Sequence, residues 1–197
     1  MTAAVLFVSV HVAGTIGLRD ELTRFAAVAQ ASSASSTPDL RLWSPERVHA
    51  WKDTLTRDSP PPLAILRIAR LGIEVPVLEG TDDWTLNRAV GLIEETAKPG
   101  GNGNAGIAGH RDGYFRALKD IRSGDLIEMD LPASIERYRV ERVWVVQPED
   151  ISVLDPTPTP AITLVTCYPF YFVGSAPQRF IVRAVRTERT EKKNREE

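Results

Sequence analysis

A single cysteine occurs in the 197 residues, Cys167, and it closes an apolar run, Ile162-Thr163-Leu164-Val165-Thr166-Cys167. The run reads as a buried strand whose last residue meets a loop, residues 168–178, carrying Pro169, Gly174 and Pro177. A strand end beside a loop suits a nucleophile, because the backbone is fixed on one side and substrate enters from the other. Free cysteine is also among the most buried residue types, so taken alone Cys167 equally fits a small core hydrophobe.

A partner would decide between the two. His110 stands in Asn104-Ala105-Gly106-Ile107-Ala108-Gly109-His110-Arg111-Asp112-Gly113, where small residues precede it and Asp and Gly mark a turn after it. A thiol with a pKa near ~8.5 is mostly protonated at neutral pH, and a neighbouring imidazole can take or share its proton. Arg179 opens the run Gln178-Arg179-Phe180-Ile181-Val182-Arg183. If the strand ending at Cys167 pairs with this one, the two residues face each other at one rim. A guanidinium there could hold a substrate backbone or donate to a developing oxyanion. A turn-edge His is also an ordinary hydrogen-bonding residue, and with 24 Lys and Arg in the chain an arginine near any chosen residue is unsurprising.

Composition narrows the classes. Lys and Arg number 24 against 26 Asp and Glu, so the electrostatic support for phosphate-driven nucleic-acid binding is missing. One cysteine excludes an internal disulfide framework and a multi-cysteine metal site. The histidines, His11, His49 and His110, are too scattered to read as a metal cluster, and no cofactor is implied.

The elements that must position these groups come in four parts. Residues 1–18 carry no charged side chain apart from His11. As a helix they would span about 27 Å, close to the hydrocarbon thickness of a bilayer, which predicts a transmembrane anchor. A signal peptide with an Ala27-Val28-Ala29 site and a buried core helix are the competing readings. Residues 19–62 read as a tether with a Ser/Ala-rich stretch and one short helix. Ser44 caps that helix, Pro45 takes its first position, and Trp43, Val48, Trp51 and Leu55 supply a face to pack on the domain. Pro60-Pro61-Pro62 is expected to end it, and His49 to sit on it as a partly exposed residue.

From 63 to 187 the pattern changes to short runs of branched and aromatic residues bounded by Gly, Pro, Asp or Asn. They fall at 63–68, 72–80, 103–109, 125–130, 136–147, 161–167 and 178–186, with brief helices at 82–88 and 114–119. Tyr138, Val140, Arg142, Trp144 and Val146 read as one face of an alternating strand. Seven or eight short strands in so few residues predict a mostly β fold, a closed or nearly closed barrel. Residues 188–197 form a charged tail expected to fray into solvent.

Together these segments resemble the sortases, cysteine transpeptidases of bacterial surfaces. The resemblance rests on Thr163-Leu164-Val165-Thr166-Cys167, a TLxTC motif, on the later Arg179, and on Gly106-Ile107-Ala108-Gly109-His110-Arg111-Asp112. It extends from about residue 63 to 185, and the run TCYPFYFVGSAPQRF is most similar to class D.

The resemblance implies a closed eight-stranded sortase-type barrel and a set of roles. Cys167 would attack the threonine carbonyl of an LPxT-type sorting signal near the C-terminus of a surface protein. His110 would serve as acid for the leaving amine and as base for the incoming one, and Arg179 would steady the substrate carbonyl. Thr166 would contact substrate or support the oxyanion site, and Asp112 could orient His110. A thioester joins the half-reactions, and an amine from a cell-wall precursor or a pilin lysine resolves it. The anchor then implies a single-pass protein of the plasma membrane with its barrel outside the cytoplasm. A cysteine peptidase that only hydrolyses, and a non-catalytic membrane-tethered barrel that binds peptide, are the alternatives.

Overall fold

The computed structural model describes Thr23, Phe25, residues 38–171 and residues 176–192. The apolar helix expected over 1–18 lies outside the described residues, and none of the helices described is long and apolar enough to cross a membrane.

Among the described residues eight strands close into a barrel: β1 (Ala64–Ile68), β2 (Ile73–Glu79), β3 (Val90–Leu92), β4 (Asn104–Ala108), β5 (Leu126–Asp130), β6 (Ser134–Val146), β7 (Ala161–Tyr168) and β8 (Gln178–Glu191). The order around the barrel is β1-β2-β3-β4-β7-β8-β6-β5, with β5 returning to β1. Pairs β2–β3 and β4–β7 are parallel and the others antiparallel. Strand alternation fills the interior with one face of each strand, including Leu66 and Ile68 of β1, Ile107 of β4, Ile162 and Leu164 of β7 and Val182 of β8, all 0% exposed.

Helix α1 (Pro45–Thr54) begins as its residues predict. Ser44 Oγ accepts the Arg47 amide at 3.1 Å, and Pro45 occupies the first turn, where no amide donor is needed. The helix ends at Thr54, well before the prolines, in a tightened turn in which the Leu55 amide donates to Lys52 O at 3.1 Å. It packs against α2 (Asp83–Arg88), whose cap is Asp82, accepting from the Trp84 and Thr85 amides. A second helical stretch, Tyr114–Asp120, is 3₁₀ rather than α.

Three features depart from the sequence expectation. Strand β3 is three residues long, too short for an alternating pattern to show. In β6 the faces do not alternate uniformly: the register shifts between Val140 and Arg142, so Tyr138 and Val140 point into the core while Trp144 and Val146 sit on the outer face. The charged tail does not fray from 188. Strand β8 continues to Glu191, paired with β6, because the charges find cross-strand partners. Arg137 meets Glu188 at 2.9 Å, and Arg189 reaches the fully buried Glu136 at 3.2 Å.

Candidate active site

Cys167 is the penultimate residue of β7 and is partly exposed. Its antiparallel partner on β8 is Arg179, so both side chains leave the same face of the sheet. That face is the outer one, since Ile162, Leu164 and Tyr168 of β7 and Phe180 and Val182 of β8 turn into the core.

His110 follows β4 on the other side of β7. Ala108 pairs with Val165, and the Gly109 amide donates to Val165 O at 3.1 Å. β4 ends at Ala108, so His110 follows just past the strand, at the rim toward which β7 runs on to Cys167. His110, just past the end of β4, therefore shares a rim with the cross-strand row of Cys167 and Arg179. The strands β4 and β7 are parallel, so both end at the same rim, and β8 begins there.

Two contacts fix that rim from inside. Thr166, 2% exposed, donates its hydroxyl to Gly109 O at 2.7 Å. Gly109 itself lies against the Phe115 ring, where a Cβ would sit 2.6 Å from Cδ2. The sequence reading gives Thr166 a contact with substrate or support of the oxyanion site. Its side chain instead points inward and ties β7 to the histidine segment. Below, Phe170 and Phe180 meet edge to face at 5.1 Å and Tyr168 stacks on Phe180 at 6.1 Å, closing the barrel end under the row.

The outer face continues as a strip. One row in from the rim lie Ala108, Val165, Ile181 and Trp144. The next row, Gly106, Thr163 and Arg183, is covered by the segment 151–155. A Cβ on Gly106 would meet Leu154 Cδ2 at 2.8 Å, so the absence of a side chain there admits the covering segment. Polar bonds hold it: Asn104 Nδ2 donates to Val153 O and Asp155 O, each at 3.2 Å, and Arg183 Nη2 donates to Val153 O at 2.6 Å. Arg183 Nε also donates to Thr163 Oγ1 at 2.8 Å. In the row behind the rim Ile181 is fully buried, while Ala108, Val165 and Trp144 stay partly exposed and leave an apolar surface beside Cys167.

Burial pushes the His110 imidazole down to about 4, and the Arg47 charge adds to this, while Asp112 and Asp83 oppose it. The imidazole is consequently neutral at pH 7 and able to accept a proton. Arg179 Nη1 donates to Ala176 O at 3.3 Å and to Gln178 O at 3.1 Å, so both of its described bonds use one nitrogen and hold the fork at the opening of β8. Asp112 accepts from Arg47 Nε at 3.2 Å and Ser44 Oγ at 3.3 Å, so its described bonds run to α1 and its cap. His49 is an exposed α1 residue 3.4 Å from Asp53, remote in role from this row.

A neutral imidazole at the same rim as a thiol, with a guanidinium opposite the thiol across the ladder, supplies the groups an acyl transfer site needs. A model of the sortase domain matches residues 66–187. The chain belongs to the sortase family. It is 34% identical over 119 residues to sortase D of Bacillus subtilis, an alignment covering 60% of this chain and 60% of that one. The match thus spans less than two thirds of that relative. A sortase D5 transpeptidase of Clostridium perfringens superposes with a TM-score of 0.62 at 25% identity, covering 86% of this chain and 99% of the other. Sortase E1 of Streptomyces coelicolor, solved with a tripeptide in its active site, gives 0.60 at 31% identity over 66% of this chain and 90% of that one. The class D resemblance of the sequence thus agrees with relatives of that class, and the barrel is a sortase barrel.

The sequence reading singled out the row but missed what braces it from outside. Arg47 and Ser44 of the N-terminal helix segment reach Asp112, more than sixty positions along the chain. Ser44 was legible only as a cap, and nothing in the sequence pairs Arg47 with Asp112.

Proposed function

We propose that this sortase is a membrane-anchored cysteine transpeptidase that cleaves an LPxT-type sorting signal through a thioester on Cys167 and passes the acyl group to an amine. The observation that supports this reading is the cross-strand pair of Cys167 and Arg179 at the rim where β4 ends just before His110. As Cys167 Sγ bonds to the threonine carbonyl carbon, the thiol proton passes to neutral His110. The imidazolium then gives that proton to the leaving amine as the peptide C–N bond breaks. In the second half, His110 takes a proton from the incoming amine, which displaces the thiolate sulfur. Arg179 donates to the carbonyl oxygen while it carries negative charge, which requires a guanidinium nitrogen to turn from its strand-end carbonyls toward Cys167.

The acceptor is a cell-wall precursor amine or a pilin lysine, and the donors are surface proteins ending in the sorting signal. The apolar stretch 1–18 and the Ser/Ala-rich tether support a single pass in the plasma membrane with the barrel outside the cytoplasm. A lone cysteine suits that oxidising side, since no internal disulfide can trap it. The test incubates full-length protein with an LPxT-type peptide and an amine. Mass spectrometry should find an acyl adduct on Cys167 and an amide product. Cleavage that continues in Cys167→Ala would remove the reading, and release of water-cleaved peptide alone would reduce it to a peptidase.

A further inference from the structure

We propose that Arg47, carried by the helix that precedes the barrel, is a positioning residue for His110: by clamping Asp112 and Asn87 it locks α1 over the histidine loop and sets the charge around the imidazole. The inference rests on the reading of His110 as the proton-transfer group. Arg47 is only 19% exposed. Its Nε donates to Asp112 Oδ1 at 3.2 Å and its Nη1 to Asn87 Oδ1 at the end of α2. One side chain thus joins three segments, α1, α2 and the turn that follows His110. The fit is close: a Cβ on Gly113 would lie 3.5 Å from His110 Cβ and 3.7 Å from Arg47 Cγ and Cδ.

Independent contacts seat α1 in the same place. Ser44 Oγ donates to Asp112 Oδ2 at 3.3 Å, and Trp43 packs edge to face on Tyr114 at 4.9 Å and on Trp51 at 6.3 Å. The helix is therefore built onto the site rather than being part of a loose tether.

The charges that face His110 come from each packed element: Arg47 from α1, Asp83 from α2 and Asp112 from its own turn. Cys167 ends at the same rim on β7, and Arg111 is directed to Pro169 O at 3.0 Å. Arg47 is the cation of this group whose charge disfavours the imidazolium, second only to burial, and it also engages Asp112, the carboxylate that favours it more strongly than Asp83. Removing it withdraws the repulsion and frees Asp112 at once. Both changes act in the same direction.

The experiment follows the histidine Cε1–H signals of the full chain by NMR as pH is varied, with exposed His49 as internal reference. In Arg47→Met the His110 midpoint should rise by about one unit or more. Arg47→Lys, which keeps the charge, should stay near the wild type. Asn87→Ala, which keeps Arg47 but loosens its fork, should move the midpoint upward by less, and it carries the test if the Met variant does not fold. The acid limb of the acylation rate should shift with the NMR midpoint. A His110 midpoint unmoved in the folded variants, with activity falling at all pH values alike, would make Arg47 a structural residue only and overturn the proposal. The titration needs no turnover, so it reads independently of whether the protein transfers or merely hydrolyses peptides.

Discussion

Thr166 donates its hydroxyl to Gly109 O at 2.7 Å, joining the residue before the cysteine to the residue before the histidine. The bond is buried and its partners are 57 positions apart in sequence. Thr166→Val keeps the shape and removes the donor, leaving a buried carbonyl unpaired at a cost of about 1–3 kcal/mol. Thermal unfolding should register that loss, and kcat/KM should fall with it as the histidine segment loosens. Thr166→Ser should recover both. Equal activity in the Val and Ser variants would show that the bond positions nothing.

Proton transfer contributes roughly 10²–10⁴-fold to such reactions, so His110→Ala should lower turnover by that range. An oxyanion donor is worth about 10²–10³-fold, so Arg179→Ala should cost that much and Arg179→Lys should recover little, lacking the planar fork. Steady-state rates with an LPxT-type peptide and an amine check both. Near-wild-type turnover in Arg179→Ala would leave a Cys–His dyad without the arginine.

The depressed histidine ties stability to pH. His110 titrates near 6.5 in an unfolded chain and at about 4 in the folded one, so between these values the unfolded state binds the extra proton. Stability is full above 6.5 and declines as pH falls through the window toward 4. Melting temperatures measured across that window should drop less for His110→Gln than for the wild type. A parallel decline in both proteins would assign the acid sensitivity to other groups.

A methyl group added at Gly109 would stand 2.6 Å from the Phe115 ring, itself 0% exposed and unable to swing away. Gly109→Ala should destabilise by about 1–3 kcal/mol through overpacking and displace His110 from its place at the rim. The paired variant Gly109→Ala with Phe115→Leu should regain part of the lost activity. No recovery, with stability restored, would separate the packing from the positioning.

At the far side of the barrel wall Glu136 is 0% exposed and bonded to Arg186 at 2.9 Å, Arg189 at 3.2 Å and the Tyr138 hydroxyl at 2.5 Å. Glu136→Ala removes the acceptor of the buried Tyr138 hydroxyl and of the mostly buried Arg186, while Arg189 keeps Glu191, and should cost about 1–3 kcal/mol in chemical denaturation. The folded variant should keep its kcat/KM, because the ladder between β6 and β8 still sets Arg179. A selective loss of activity without a loss of stability would contradict this purely structural role.

The sequence by itself determined the strands and the chemical types. Alternation and turn residues located seven of the eight strands, and Ser44 with Pro45 marked where α1 starts, because these signals are local in the chain. The order TLxTC, then Arg179, with a His-bearing segment before both, carried the family. Only the tertiary structure decided that β4 lies parallel to β7. That adjacency brings His110 and Cys167 to one rim although β5 and β6 intervene between them in the chain. The register shift in β6 turned Trp144 and Val146 outward against the simple alternation, since one extra residue reverses every face beyond it. The tail 188–191 became strand because its charges met Arg137 and Glu136 across the ladder, partners that local composition does not reveal. The same holds for Arg47 and Asp112: a bond between residues 65 positions apart depends on how a helix docks, and docking is fixed by the whole surface that receives it.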